Sequence, residues 1–389
     1  MKRIYLDHNA TTPLAPEALA AMLPFLSGGY DGTFGNPSSI HAAGREARAA
    51  VDDARDRLAR LLGARPNEII FTSGGTEADN LAVLGLARNR ARRGSARHLI
   101  TSATEHHAVL HAAEFLEKHE GFQVTRLPVD QRGLLEVEAL RRALTPETAL
   151  VSLHSANNET GTVQPVAEIA ALCRAHGVPF HSDMVQSFGK LPVRVDHTNG
   201  PDALSLAAHK FYGPKGAGAL WLRSGVSLDA IGFGGAQENE RRPGTENVAA
   251  IVGMVTAAEL AVQSLAQEQP RQAALRDRLW QGIAAAFPAA VRNGAWDEPA
   301  LQLANTLNVS FPGLDGETLL IHCDLAGVCI SSGSACMTGS PQPSHVLRAM
   351  GVPRALAQAS LRFSLGKGTT EADIDAAIER LAGIFARVR

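Results

Sequence analysis

The sequence has little cysteine, almost no net charge and no obvious long apolar run. Four cysteines in 389 residues are too few for a disulfide scaffold and fit a thiol-reduced compartment. Lys plus Arg number 37 against 39 for Asp plus Glu, a formal net charge of -2. That balance argues against a dedicated nucleic-acid or anionic-membrane protein. No apolar span of eighteen residues stands out, so no membrane crossing is expected. The opening MKRIYLDHNATTP has two basic residues but no apolar h-region, so it does not read as a secretory signal. What is present is a 45% hydrophobic share, enough for a sizeable core. The length corresponds to roughly 2.6 domains of about 150 residues, hence two domains or a large one and a small one. These bounds predict a cytoplasmic globular protein without naming a reaction.

Short apolar runs alternate with amphipathic segments, the pattern of an α/β protein with a largely parallel sheet. Val51, Ala54, Leu58 and Leu61 recur at helical spacing, so 41–62 reads as a helix with one buried face. The segments 68–72, 97–101, 122–127, 148–153, 178–182, 204–206 and 218–222 read as strands. A helix over 165–176 is predicted to stop at Gly177, in a left-handed cap. A long helical stretch, 247–286, carries a break signal at Gln269-Pro270 and looks like a link to a second domain. The last third alternates strands (302–310, 360–365) with helices (316–325, 343–350, 371–388). Thr370 and Asp373 make a capping-box-like start to the final helix.

Five constellations can carry chemistry. Thr72-Ser73-Gly74-Gly75-Thr76-Glu77 spans a strand-to-helix junction. Its glycines and helix N-terminus suit an anion, though it is neither a Walker motif nor GxGxxG, and on these residues alone a plain tight turn is the favoured reading. Lys210, in AAHKFYGPKG, follows a strand and precedes a turn-rich loop. A lysine beside an apolar pocket can form a Schiff base; a surface lysine is the plain alternative. Asp183 and Gln186 follow the strand 178–182, at the strand end where α/β sheets bind ligands; a helix N-cap is the alternative for Asp183. His106, His107 and His111 lie close in sequence. No HExxH surrounds them and no further ligand is evident, so no metal is expected; an imidazole against a flat cofactor ring or a helix-start histidine fits better. Cys336 sits in SSGSACMTGSPQPSHVL, whose small and flexible residues describe a mobile exposed loop. A nucleophile there needs a thiolate. Cys173, Cys323 and Cys329 read as small core residues.

Together these motifs resemble a known family. YLDHNATTP (5–13), FGNPSSIH (34–41), TSGGTEADN (72–80), TEHHAVL (104–110), NNETGTVQPV (157–166), HSDMVQSFGKLPV (181–193), AAHKFYGPKGAGAL (207–220), RRPGTEN (241–247), SSGSACMTGSPQPSHVLRAMG (331–351) and LRFSLGKGTT (361–370) resemble cysteine desulfurases of the NifS/IscS type. The resemblance runs in order over essentially the whole chain. It implies the class V aminotransferase family and the fold-type I architecture of enzymes using pyridoxal 5'-phosphate (PLP). It also implies a homodimer. The expected division is a large PLP-binding domain over 16–257 and a small α+β domain from 1–15 and 258–389. The small domain would carry a mobile cysteine loop at about 331–343.

Carried over by resemblance, Lys210 holds PLP, Asp183 pairs with its pyridine nitrogen and Gln186 bonds its phenolic oxygen. His106 stacks on the ring and moves protons. Gly75, Thr76 and His209 hold the phosphate, with Thr245 reaching it from the other subunit. Arg362 resembles the clamp on the substrate carboxylate, helped by Asn158 and Asn36. Cys336 resembles the nucleophile that takes sulfur from L-cysteine as a persulfide and passes it to an acceptor such as an iron–sulfur scaffold protein. Two departures stand out: Ala207 replaces a common serine before the His-Lys pair, and Met184 replaces a small alanine after Asp183. Both bear on cofactor affinity more than on the reaction. Selenocysteine lyase, another class V PLP reaction and a non-catalytic assembly scaffold are the competing readings.

Overall fold

Seven short runs between 69 and 222 build one sheet. In the computed structural model, which describes residues 2–27, 29, 32–94, 96–195, 200–332 and 343–388, β1 is Ile4–Tyr5. It is followed by β2 (Ile69–Thr72), β3 (His98–Ser102), β4 (Gln123–Leu127), β5 (Thr148–Ser152), β6 (Phe180–Asp183), β7 (Ala203–Ala207) and β8 (Gly218–Leu222). The sheet order is β2-β8-β7-β6-β5-β3-β4. Every neighbouring pair is parallel except the two made by β8. Side chains on a strand alternate between faces, and here both faces are covered. Ile69, Phe71, Leu204, Leu206, Ala219 and Trp221 enter one core, with the helices Ala42–Leu62 and Val248–Ala286. Ile70, Ala203, Leu220 and Leu222 enter another, with the helix Gly75–Arg93. That double burial is why the strands read as continuous apolar runs rather than alternating ones.

The rest of the chain makes a second core. Strands β9 (Val291–Asn293), β10 (Thr306–Ser310), β12 (Ser331–Ser332) and β13 (Ser360–Ser364) form an antiparallel sheet in the order β12-β13-β10-β9. β11 (Val328–Cys329) pairs in parallel with β1 at the N-terminus. Ile4 and Leu6 pack there with Leu279, Ile283, Phe311, Phe363 and Phe385. The final helix, Glu371–Val388, opens on the expected reciprocal cap. Thr370 N–H donates to Asp373 Oδ2 and Asp373 N–H to Thr370 Oγ1, both at 3.1 Å. Gly177 is left-handed, at φ 64°.

Three expectations need correction. The helix Val248–Ala286 runs unbroken through Pro270. Proline costs a helix one N–H and a clash, but this helix is pinned at both ends. Residues from Ala250 to Ala261 enter the first core, whereas Leu275, Leu279 and Ile283 lie in the second. The same helix does contain an eighteen-residue apolar window, of mean hydropathy 1.7. Alanine, glycine and threonine dilute it to the eye; most of it is buried within the protein. Cys173 and Cys323 are core residues as expected, but Cys329 is only half-buried, because β11 has β1 as its sole strand neighbour among the described residues.

Candidate active site

Strands in an open α/β sheet deliver side chains beyond their carboxyl ends. A cavity of about 430 Å³ opens there, within the range of small-molecule sites. Nine of the twelve residues singled out from the sequence line it: Gly75, Thr76, His106, Asn158, Asp183, Gln186, His209, Lys210 and Arg362. They come from both cores. Asn36 and Thr245 are exposed and do not line this chain's cavity; the Asn36 side chain accepts the Ser38 N–H at 2.9 Å. Cys336 lies outside the described residues.

Lys210 ends the single turn Ala208–Lys210 that follows β7. Its Nζ donates to Asn9 O at 2.7 Å and Ala10 O at 2.9 Å. The N-terminal arm therefore holds the lysine in the cavity. Asp183 ends β6 and is buried; one carboxylate oxygen accepts the Val185 N–H at 2.9 Å. Burial pushes its pKa up to about 6, with the Val185 bond opposing. Gln186 Nε2 donates to Asn9 O at 3.0 Å and its Oε1 accepts from Lys190 Nζ. His106 caps the helix His107–His119, its Nδ1 accepting the Ala108 N–H at 3.1 Å. Burial, then the nearby Lys210 charge, lowers His106 to about 4, and His209 is lowered to about 4 for the same two reasons first. Both imidazoles are neutral at pH 7.

The Gly75 position is shaped by close approach. A Cβ there would meet Val185 Cγ2 at 2.8 Å and Ala207 Cβ at 3.3 Å. It would fill the cradle at the start of the helix Gly75–Arg93, where the N–H groups of the first turn are unsatisfied by the helix. Ala207 thus lines the cavity beside Gly75, where a serine would bring a hydroxyl. Met184 packs into the first core and does not line the cavity. On the opposite core, Arg362 of β13 is buried. Nη1 donates to Asn158 O at 3.0 Å and Nη2 to Asp7 Oδ1 at 2.8 Å, while Nε has no hydrogen-bond partner.

Several residues in or beside the cavity make contacts that the sequence reading did not assign. Asn9 lay in a quoted motif, yet nothing local shows that its carbonyl meets Lys210. Glu159 is buried, with its pKa raised to about 7 by burial, and Ser344 Oγ donates to it at 2.5 Å. Lys190 Nζ also donates to Asn9 Oδ1 at 3.1 Å; burial, then Lys210 and Arg362, pushes its pKa well down. His107 stacks 4.7 Å from His345, across a gap of more than two hundred residues, and 5.0 Å from His111. Asp79 and His154 also line the cavity, and Glu105 lies buried beside His154. Asp79, Glu159 and Lys190 lie within quoted motifs, but in a helix or turns where no local pattern marks them.

The donor set fits PLP. A lysine amine, a buried carboxylate, an amide, a neutral imidazole, a helix-start cradle that a Cβ would fill and a guanidinium with an unpartnered Nε all face one cavity. Comparisons with known proteins agree with that chemistry. The family model "Aminotransferase class-V" matches residues 4–377. A "Cysteine desulfurase IscS" of Dictyoglomus turgidum is 46% identical, over 100% of this chain and 96% of its own length. A "Cysteine desulfurase" of Cereibacter sphaeroides is 49% identical over 100% and 97%. A solved "NIFS-LIKE PROTEIN" is 36% identical with a TM-score of 0.90, covering 99% of this chain and all of its own. With its fold and full length matched together, the chain belongs to the class-V aminotransferase family, among the cysteine desulfurases of the NifS/IscS type.

Proposed function

We propose that the protein converts L-cysteine to L-alanine and collects the released sulfur as a persulfide on Cys336. The observation that carries this reading is one cavity lined by Lys210, Asp183 and Arg362, drawn from three separate segments of the chain. A relative of 38% identity, SspA, has been solved in complex with cysteine, which supports the choice of substrate. When bound, PLP supplies the electron sink for bonds broken at the substrate α-carbon. Lys210 Nζ would hold its aldehyde carbon. Asp183 would pair with the ring nitrogen, and Gln186 Nε2 with the phenolic oxygen, an orientation set by Lys190 at Oε1. His106 would lie against the ring. Gly75, Thr76 and His209 would hold the phosphate, with Thr245 supplied by a second copy.

The protein's own groups then move protons and sulfur. Lys210 Nζ is placed to take the substrate α-proton and to return a proton as alanine forms. The Cys336 thiolate attacks the substrate sulfur, the carbon–sulfur bond breaks, and the carbon takes a proton to leave as alanine. Per turnover, cysteine and one Cys336 thiol become alanine and one Cys336 persulfide. An acceptor such as an iron–sulfur scaffold protein removes the terminal sulfur. The working unit in this reading is a cytoplasmic homodimer, with Asn36 and Thr245 at the interface. Exposed apolar side chains in the same two segments, Phe34, Ile40 and Phe233, support it. The large domain spans 16–257, and the small domain combines 1–15 with 258–389, a division supported by the separate hydrophobic cores.

Incubation with L-cysteine, PLP and a reductant is expected to release alanine and sulfide in equal amounts. Pyruvate or another keto acid in place of alanine would refute the reading. Arg362→Lys keeps a charge for Asp7 but loses the planar fork that matches a carboxylate. Its KM for L-cysteine is expected to rise about 10- to 100-fold, the loss of one charge-assisted bond. The visible absorbance of bound PLP should stay unchanged. An unaltered KM would remove Arg362 from the substrate site.

A further inference from the structure

Beside the cavity lies a buried ion pair that the reaction scheme above does not use. Glu105 and His154 are both buried, and His154 Nδ1 lies 3.0 Å from Glu105 Oε1. The same carboxylate accepts the His154 backbone N–H at 2.9 Å and the Ser102 hydroxyl at 2.7 Å. Burial favours the neutral form of each group. Against it, the mutual charge and these hydrogen bonds lower Glu105 and raise His154. The 3.0 Å contact and these hydrogen bonds favour a charged pair. A buried ion pair of this kind is retained at a cost in desolvation, which asks for a reason.

The backbone register supplies one. Leu153 N–H donates to His181 O at 3.0 Å and Ser155 N–H to Asp183 O at 2.9 Å. His154 thus sits between them at the end of β5, beside Asp183 at the end of β6. Its Nδ1 is committed to Glu105. Its Nε2 is buried, has no hydrogen-bond partner, and belongs to a residue that lines the cavity with Asp183. The other titratable groups nearby are engaged or neutral. Asp79 is pushed well above its ordinary value by burial, then by Asp183. The ring nitrogens of His181 lie 2.9 Å from Ser152 Oγ and 2.9 Å from Ser205 Oγ, and burial lowers it to about 4. His345 is lowered by burial, and its Nε2 donates to Glu105 O at 2.9 Å. Lys210 donates to the carbonyls of Asn9 and Ala10.

The Glu105 charge works against an ionised Asp183, and the His154 charge works for it. We propose that His154 is a positioning residue: oriented by Glu105, it offsets the Glu105 charge at Asp183, favours ionised Asp183 and so keeps the ring nitrogen of bound PLP protonated. The proposal rests on the PLP reading above. It acts through Asp183, and no step of the sulfur chemistry depends on it directly.

The test loads wild type, His154→Gln and Glu105→Gln with PLP labelled with ¹⁵N in the ring. The ring-nitrogen shift is followed by NMR from pH 6 to 9, and PLP affinity by fluorescence. Wild type is expected to show a protonated ring nitrogen throughout. His154→Gln should lose that proton within the range and bind PLP about tenfold more weakly, the equivalent of one pKa unit. Glu105→Gln should keep the ring proton, because the charge that works against ionised Asp183 is gone. A folded His154→Gln holoenzyme whose ring nitrogen titrates as in wild type overturns the proposal, whatever its activity. If His154→Gln does not fold by circular dichroism, the same signal in His154→Asn decides. Wild type that takes up no PLP overturns the cofactor reading itself; loaded wild type with an unchanged His154 variant overturns this inference alone.

Discussion

Lys210→Ala is expected to lose the visible absorbance of bound PLP and to lower alanine formation by on the order of 10⁴-fold or more. The size follows from how little else can take the lysine's place. Its amine is anchored in the cavity by two carbonyls of the N-terminal arm. The next amine, Lys190, is committed to Asn9 Oδ1 and Gln186 Oε1. Neutral His106 lies on the cavity wall, but an imidazole cannot form the covalent link. Folding should be unaffected, since the change removes a side chain from a cavity rather than from a core. The measurement is an absorbance spectrum of purified protein with added PLP, followed by an alanine assay. An unchanged spectrum would take the covalent role away from Lys210.

Cys336→Ala is expected to do the reverse, keeping the spectrum and losing turnover by on the order of 10³-fold or more. The other cysteines cannot substitute. Burial pushes the Cys173 and Cys323 thiols up to about 12 and raises Cys329 as well, so none is a thiolate at neutral pH. The segment bearing Cys336 is tied to the cavity wall on both sides. Before it, Ser331 is the register partner of Arg362. After it, Ser344 donates to Glu159 and His345 lines the cavity. Cys336 is four residues past Ser332, a reach of up to about 14 Å. Single-turnover mixing with L-cysteine, read as alanine per PLP, checks the outcome. Full turnover by the variant would show that sulfur leaves by another route.

Much of the site was legible because its components are local. Gly75 and Thr76 follow a strand and open a helix. Lys210 follows β7 and Asp183 ends β6, and each carries its signal within a few residues. The Thr370–Asp373 cap and the left-handed Gly177 were equally local. Pro270 misled for the opposite reason. Its local cost is outweighed by two cores, built from residues far apart in the chain.

The sequence by itself determined the strand–loop–helix units, the chemical types at their ends and the resemblance that those motifs carry. The tertiary structure alone decided which groups meet and what charge they bear. Asn9 and Lys210 are separated by 201 residues, Asp7 and Arg362 by 355, Glu105 and His154 by 49. Burial favours the neutral form of an ionisable group, and only a partner at hydrogen-bond distance reverses that preference. Such partners come from distant segments, so the lowered Glu105, the raised His154 and the raised Asp79 follow from the packing. The same holds for the four cysteines. Their number excluded a disulfide scaffold from the outset, and their burial sets Cys173 and Cys323 apart as inert thiols.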